Sequence, residues 1–208
     1  MSVFQSLASA LGHRDEIPNQ ELAAAIAANG NEAAIAELLS GLSGKDKGIR
    51  SDCIKVLYEI GERRPALIAP HAGVFVSLLD DKNNRLVWGA MTALDAIAAI
   101  DPHGIYRFLP EILDAAGKGS VITRDHAVGI LIKLCAAGDY ADDCFALLAE
   151  QLAKCPTNQL PMYAENALPV VKPGNKALFV KVLTDRLPEI EKESKRTRVE
   201  KVIRKAAK

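Results

Sequence analysis

With 208 residues, 49% of them apolar and 25% charged, the chain has the composition of a folded soluble protein and not of a disordered one. Its 26 Lys and Arg balance 26 Asp and Glu, so no chain-wide field favours nucleic acid or an anionic membrane. The opening MSVFQSLASALGHRDE has no basic segment followed by a long apolar core, and no apolar run is long enough for a bilayer, so the expected location is cytoplasmic, with no membrane partner.

Residues 1–30 predict an N-terminal helical cap. QELAAAIAANG reads as a short helix closed by Asn29-Gly30, and VFQSLASALG as a second. From residue 31 the pattern becomes periodic. NEAAIAELLSGL is a first helix, the turn Ser43-Gly44-Lys45-Asp46 follows, and IRSDCIKVLYEIGERRP is a second. The next unit runs through ALIAPHAGVFVSLL, the polar turn at residues 80–84, and LVWGAMTALDAIAAIDP. Leu57 aligns with Leu94 at an offset of 37 (94 − 57), and Pro65 then meets Pro102 without a gap. The same offset brings in Leu131 and Leu168. It also aligns Cys53 with Ala90, Ala127 and Ala164, and Ile60 with Ile97, Leu134 and Val171.

Small, large and large residues at i, i+4 and i+7 share one helical face, so each unit reads as two helices stacked on the next pair. HGIYRFLPEILDAA, YADDCFALLAEQLA and NKALFVKVLTDRLPEI supply further first helices, and no segment alternates like a strand. Residues 194–208 hold seven basic residues against Glu200 alone and predict a basic C-terminal capping helix.

The second helices resemble those of the HEAT-repeat family, which open on an aliphatic residue and Arg, with a small residue three later and Leu four after that. Ile49-Arg50, Cys53, Leu57 and Thr123-Arg124, Ala127, Leu131 carry the pattern. Leu86-Val87, Ala90, Leu94 and Leu160-Pro161, Ala164, Leu168 lack the Arg, and Thr197-Arg198 is followed by Lys201 and Lys205 at the packing positions. The resemblance covers about residues 31–208. It implies an all-α, right-handed α-solenoid of about five two-helix repeats, a single domain with its cap at 1–30 and repeats over 31–193.

Enzymatic signatures fail. In GLSGKDKG, Lys45 is followed by Asp46 and no strand precedes it, so it is no phosphate loop; G-x-S-x-G and H-E-x-x-H are absent. His13, His71, His103 and His126 are not followed by Glu, unlike the His-Glu pairs of HEAT-like hydroxylases, and the four cysteines lack paired spacing. The expectation is therefore no catalytic residue, no metal and no cofactor.

The function expected is protein binding through the concave face of the second helices, with Asp52, Lys55, Trp88, Thr92, His126, Lys133 and Tyr163 as contacts. The alternative is a nucleic-acid-binding protein resembling the HEAT-like DNA alkylation repair glycosylases, using the same groove with Lys195, Arg196, Arg198, Lys201, Arg204 and Lys205.

Overall fold

A computed structural model describes residues 2–208; among these the chain is all helical, with no strand. The chain divides into two compact units, residues 1–127 and 128–208, and the division falls inside a helix and not in a linker.

Unit 1 opens with a 3-10 turn, Val3–Ser6, and a run of turns that buries Leu7 and Ala8. VFQSLASALG thus forms only this turn of helix. Helix α1 (Ile17–Asn29) ends on Gly30, whose φ of 68° places it in the left-handed region and lets its N–H reach Ile26 O at 2.8 Å. Then come α2 (Glu32–Gly41), α3 (Lys47–Arg63), two 3-10 turns, α4 (Ala72–Ser77), α5 (Asn84–Ala98), α6 (Pro102–Tyr106), α7 (Leu109–Lys118) and α8 (Val121–Ala137). The first helices of the two middle repeats are therefore broken. Pro65, Pro70 and Pro110 sit at the starts of pieces, where a missing N–H costs no helical hydrogen bond.

The period is visible in the second helices. Helices α3, α5 and α8 begin at Lys47, Asn84 and Val121, each 37 residues after the last (84 − 47 and 121 − 84). The residue before each start caps it. Asp46 accepts from Gly48 and Ile49 N–H, Asn83 from Arg85 N–H, and Ser120 from Thr123 N–H. Cys53, Leu57, Ile60, Ala90, Leu94, Ile97, Ala127, Leu131 and Leu134 are all essentially inaccessible, as their columns require.

The arginine of the repeat pattern has a defined task. Arg50 Nε donates to Leu42 O at 2.6 Å and its Nη2 to Asp81 at 2.5 Å; Arg124 Nε donates to Ala116 O at 3.3 Å and its Nη2 to Gly119 O at 3.1 Å. In both copies Nε reaches the carbonyl eight residues back, satisfying the end of the preceding helix. Helix α3 packs on α1, α2 and α5, so every residue from 52 to 61 is buried, polar ones included.

Unit 2 continues α8 and adds α9 (Ala141–Lys154), α10 (Leu160–Ala167), α11 (Lys176–Arg186) and α12 (Glu193–Ala207). Phe145 and Phe179 meet with ring centroids 6.2 Å apart between α9 and α11. Arg186, which the sequence did not single out, is buried and donates to the carbonyls of Leu152, Ala153 and Cys155 at 2.8–2.9 Å, closing the end of α9. Helix α12 buries Val199, Val202 and Ala206, leaving Lys201 and Lys205 exposed.

Candidate functional site

The second-helix face of unit 1 carries a connected row of polar and aromatic side chains. At its centre Trp88, half-buried on α5, tilts against Tyr58 of α3 with centroids 5.6 Å apart and planes at 52°. Lys55 Nζ stands 4.8 Å above the Tyr58 ring and pairs with Glu59 at 2.6 Å and Glu16 at 3.0 Å. Glu59 also pairs with Arg63, and Glu16 with Arg85, giving a chain of alternating charge from Arg63 through Glu59, Lys55 and Glu16 to Arg85. Burial works against the charged form of Lys55, but its contacts with Glu59, Tyr58 and Glu16 outweigh this and hold its pKa above the ordinary lysine value. Burial likewise raises Glu16 and Glu59, and the neighbouring cations, Lys55 first, bring both below the usual carboxylate range.

On the other side of Trp88, Thr92 Oγ1 lies 2.9 Å from its own helix's Trp88 carbonyl and 2.9 Å from His126 Nε2, while His126 Nδ1 lies 2.9 Å from Asp95 Oδ2. Donation from Nδ1–H to the carboxylate leaves Nε2 an acceptor that competes with the Trp88 carbonyl for the single hydroxyl proton of Thr92. His126 and Asp95 remain partly open to solvent, at 25% and 18% of their side-chain surface.

Several expected contact residues are corrected by this geometry. Asp52 is buried: its carboxylate accepts from Ser9 N–H at 2.7 Å and Asn19 Nδ2 at 2.8 Å, and Asn19 Oδ1 accepts from Ala8 N–H, so Asp52 anchors the N-terminal segment. Lys55 and Thr92 are also buried, held in the pairs just described. Tyr163, 2% exposed, is core of unit 2, and Lys133, half-buried in the same unit, is already engaged. Trp88 and His126 are the two expected residues of unit 1 that keep accessible surface.

The basic helix is corrected in part. Lys195 donates to Asn158, Arg196 to Ile190 O, and Arg198, itself exposed, makes a two-pronged surface pair with Glu165 at 2.8 and 2.6 Å, so these three are already engaged within the chain. Lys201, Arg204 and Lys205 stay exposed. Lys205 lines a cavity of about 470 Å³ with Lys172, Lys176 and Lys208 over an apolar floor of Leu168, Val171, Pro173 and Ala206.

Sequence reasoning missed Tyr58, Asp95, Arg85 and Glu16. Asp95 was within reach, since Trp88, Thr92 and Asp95 stand at i, i+4 and i+7, the spacing already used for the packing face. Glu16 had no such signal because it lies outside the repeats. Gly89 is explained by packing: a Cβ there would stand 2.7 Å from Ile54 Cγ1.

No family model matches the chain, and no curated protein does either. Solved structures do, and they define its class: an all-α helical-repeat solenoid fold. More particularly, the chain is similar to a computationally designed armadillo repeat protein for modular peptide recognition, at a TM-score of 0.66 and 16% identity over 98% of each chain. It is also similar to a designed armadillo repeat protein in complex with the peptide (KR)4, at 0.64 and 16% over 92% of each. A chain from work on the interaction between cadherin and β-catenin matches at 0.59 and 14%, over 99% of this chain and 44% of that one. At these identities the likeness establishes the fold alone.

Proposed function

We propose that the chain is a non-enzymatic interaction module built of HEAT-like repeats, and that it binds a protein segment through the second-helix face of unit 1. The observation that carries this reading is Trp88: a large ring left half-buried, fixed against Tyr58, with the partly open His126–Asp95 pair beside it. Rigid aromatic anchors flanked by satisfied polar groups are what interface hot spots are made of. The armadillo neighbours described as made for peptide recognition, or seen with a peptide, point the same way. The Asp95–His126–Thr92 series has the order of an acyl-transfer triad, but Thr92 is buried within a helix and its hydroxyl lies on the carbonyl of Trp88.

The test is capture from the native cell extract by wild type and by folded Trp88→Ala and His126→Ala variants. A partner recovered by wild type and lost by both variants supports the face; equal recovery by all three sinks it. Tyr163→Ala is unsuitable, since it opens a cavity in unit 2.

A second reading, binding of an anionic polymer such as duplex DNA, is favoured by the lysine-lined cavity of unit 2. It expects binding at low salt that falls steeply with ionic strength and weakens in a Lys172→Ala/Lys205→Ala variant. Absence of binding at low salt removes it.

A further inference from the structure

Glu16 closes the charge chain of unit 1 from outside the repeats. It precedes α1 in the N-cap position but makes no side-chain cap there; its carboxylate, 40% exposed, is divided between Lys55 Nζ and Arg85 Nη2. The division leaves Arg85 half used. A guanidinium presents Nε and Nη2 side by side and takes a carboxylate on both. Here Nη2 is taken and Nε is buried with no hydrogen-bond partner. A carboxylate aligned on Arg85 alone would satisfy it.

The charge count points the same way. Arg63, Glu59, Lys55, Glu16 and Arg85 form three cations with two carboxylates, and withdrawal of Glu16 leaves a single carboxylate among the three cations. Trp88 follows Arg85 by three residues on α5 and so stands one turn along the same face, placed to receive the apolar residue beside a bound acid.

We infer that Arg85 and the open edge of Trp88 form a docking site for an acidic peptide segment, an Asp or Glu next to an apolar residue, which Glu16 occupies when the partner is absent. This rests on the reading of the second-helix face of unit 1 as the partner surface, and adds the chemistry of the partner and an internal competitor for it. Binding then requires Glu16 to withdraw, and apparent affinity is reduced by the fraction of time the site is filled from within.

Trp88 is the only tryptophan in the chain, so its emission reads this site directly. The probes are a blocked peptide of alternating Glu and Ala and the basic peptide (KR)4, titrated at low salt into wild type, Glu16→Ala, Glu16→Ala/Arg85→Ala and Glu16→Ala/Arg85→Lys. Each variant is first checked for a wild-type circular dichroism spectrum. The acidic peptide is expected to bind Glu16→Ala about tenfold more tightly than wild type. Loss of Arg85 should abolish the gain, and Arg85→Lys, which keeps the charge without the fork, should restore it only in part. Equal affinity for wild type and Glu16→Ala, or a gain that survives Arg85→Ala, overturns the inference. A Trp88 response to (KR)4 with none to the acidic peptide also overturns it, but leaves the partner face standing. No response to either peptide in Glu16→Ala overturns it too, and the capture experiment then decides the face independently.

Discussion

Asp52→Ala separates a contact residue from a structural one. In the folded chain the carboxylate accepts from Asn19 Nδ2 at 2.8 Å and Ser9 N–H at 2.7 Å. Asn19 is wholly buried and passes the connection on to Ala8 N–H at 3.0 Å. Alanine orphans both donors. The buried amide should cost about 1–3 kcal/mol, and the Ser9 N–H, on an exposed residue and able to find water, about 0.5–1.5 kcal/mol. Together roughly 2–4 kcal/mol of the stability of unit 1 goes, which lowers a urea midpoint by about 1–2 M. The damage should begin in the N-terminal segment, which this carboxylate ties to α3 alongside the Glu16–Lys55 pair. Two measurements follow: urea unfolding, and trypsin cleavage after the exposed Arg14, which should accelerate well before global unfolding. Asp52→Asn keeps one acceptor oxygen and should lose about half as much. If Asp52→Ala unfolds within about 0.5 kcal/mol of wild type and Arg14 is cut no faster, the anchoring role is wrong and Asp52 returns to the list of surface contacts.

Three further perturbations test the frame around the site. Arg186→Ala removes the donors to three carbonyls at the end of α9 and should cost about 3–5 kcal/mol, read as a loss of unit 2 stability with peptide binding to Trp88 unchanged. Gly89→Ala sets a helix-propensity gain of about 1 kcal/mol against a Cβ 2.7 Å from Ile54 Cγ1; overpacking should win by about 1 kcal/mol, and a more stable variant would refute the close approach of α3 and α5. Burial pushes the thiols up, Cys53 and Cys135 to about 12 and Cys144 and Cys155 to about 11, whereas an unfolded thiol ionises near about 8.5. Their contribution is complete below about pH 8.5 and is lost as pH rises towards 11–12, so unfolding midpoints should fall between pH 8 and pH 10, and less so when all four are alanine.

The packing of the repeats was legible because it is written in chemistry that repeats: Cys53, Ala90 and Ala127 need small side chains at one depth, and Leu57, Leu94 and Leu131 fill the next. The caps are equally legible, since Asp46, Asn83 and Ser120 share the same 37-residue column (83 − 46 and 120 − 83). The site was less so. A helical projection of one repeat places Asp52 and Lys55 on an outer face, and so they would be if α3 met only α2 and α5. What buries them is the segment of residues 7–19, which lies outside the period and whose course over α3 follows from no pattern in its own sequence. Arg186 was hidden for a related reason: its partners are carbonyls, which no side-chain motif announces.

The buried charges of this face do not stabilise the fold cheaply, because ions removed from water recover their desolvation only through well-made pairs, and apolar residues of similar volume would often serve as well. Their value lies in what they position. Several bonds in the row join one copy of the second helix to the next or to the cap: Asp52 to Asn19, Lys55 to Glu16, Thr92 and Asp95 to His126, with Tyr58 against Trp88 between them. An apolar seam tolerates small slips between neighbouring helices, whereas a directional bond of 2.8–2.9 Å does not. The rings and the His126–Asp95 pair are thereby fixed in the free chain, so under the proposed reading a bound segment need not supply the free energy of ordering them. The polar row is accordingly the part of the sequence that the repeat alone leaves unexplained and that a binding face requires.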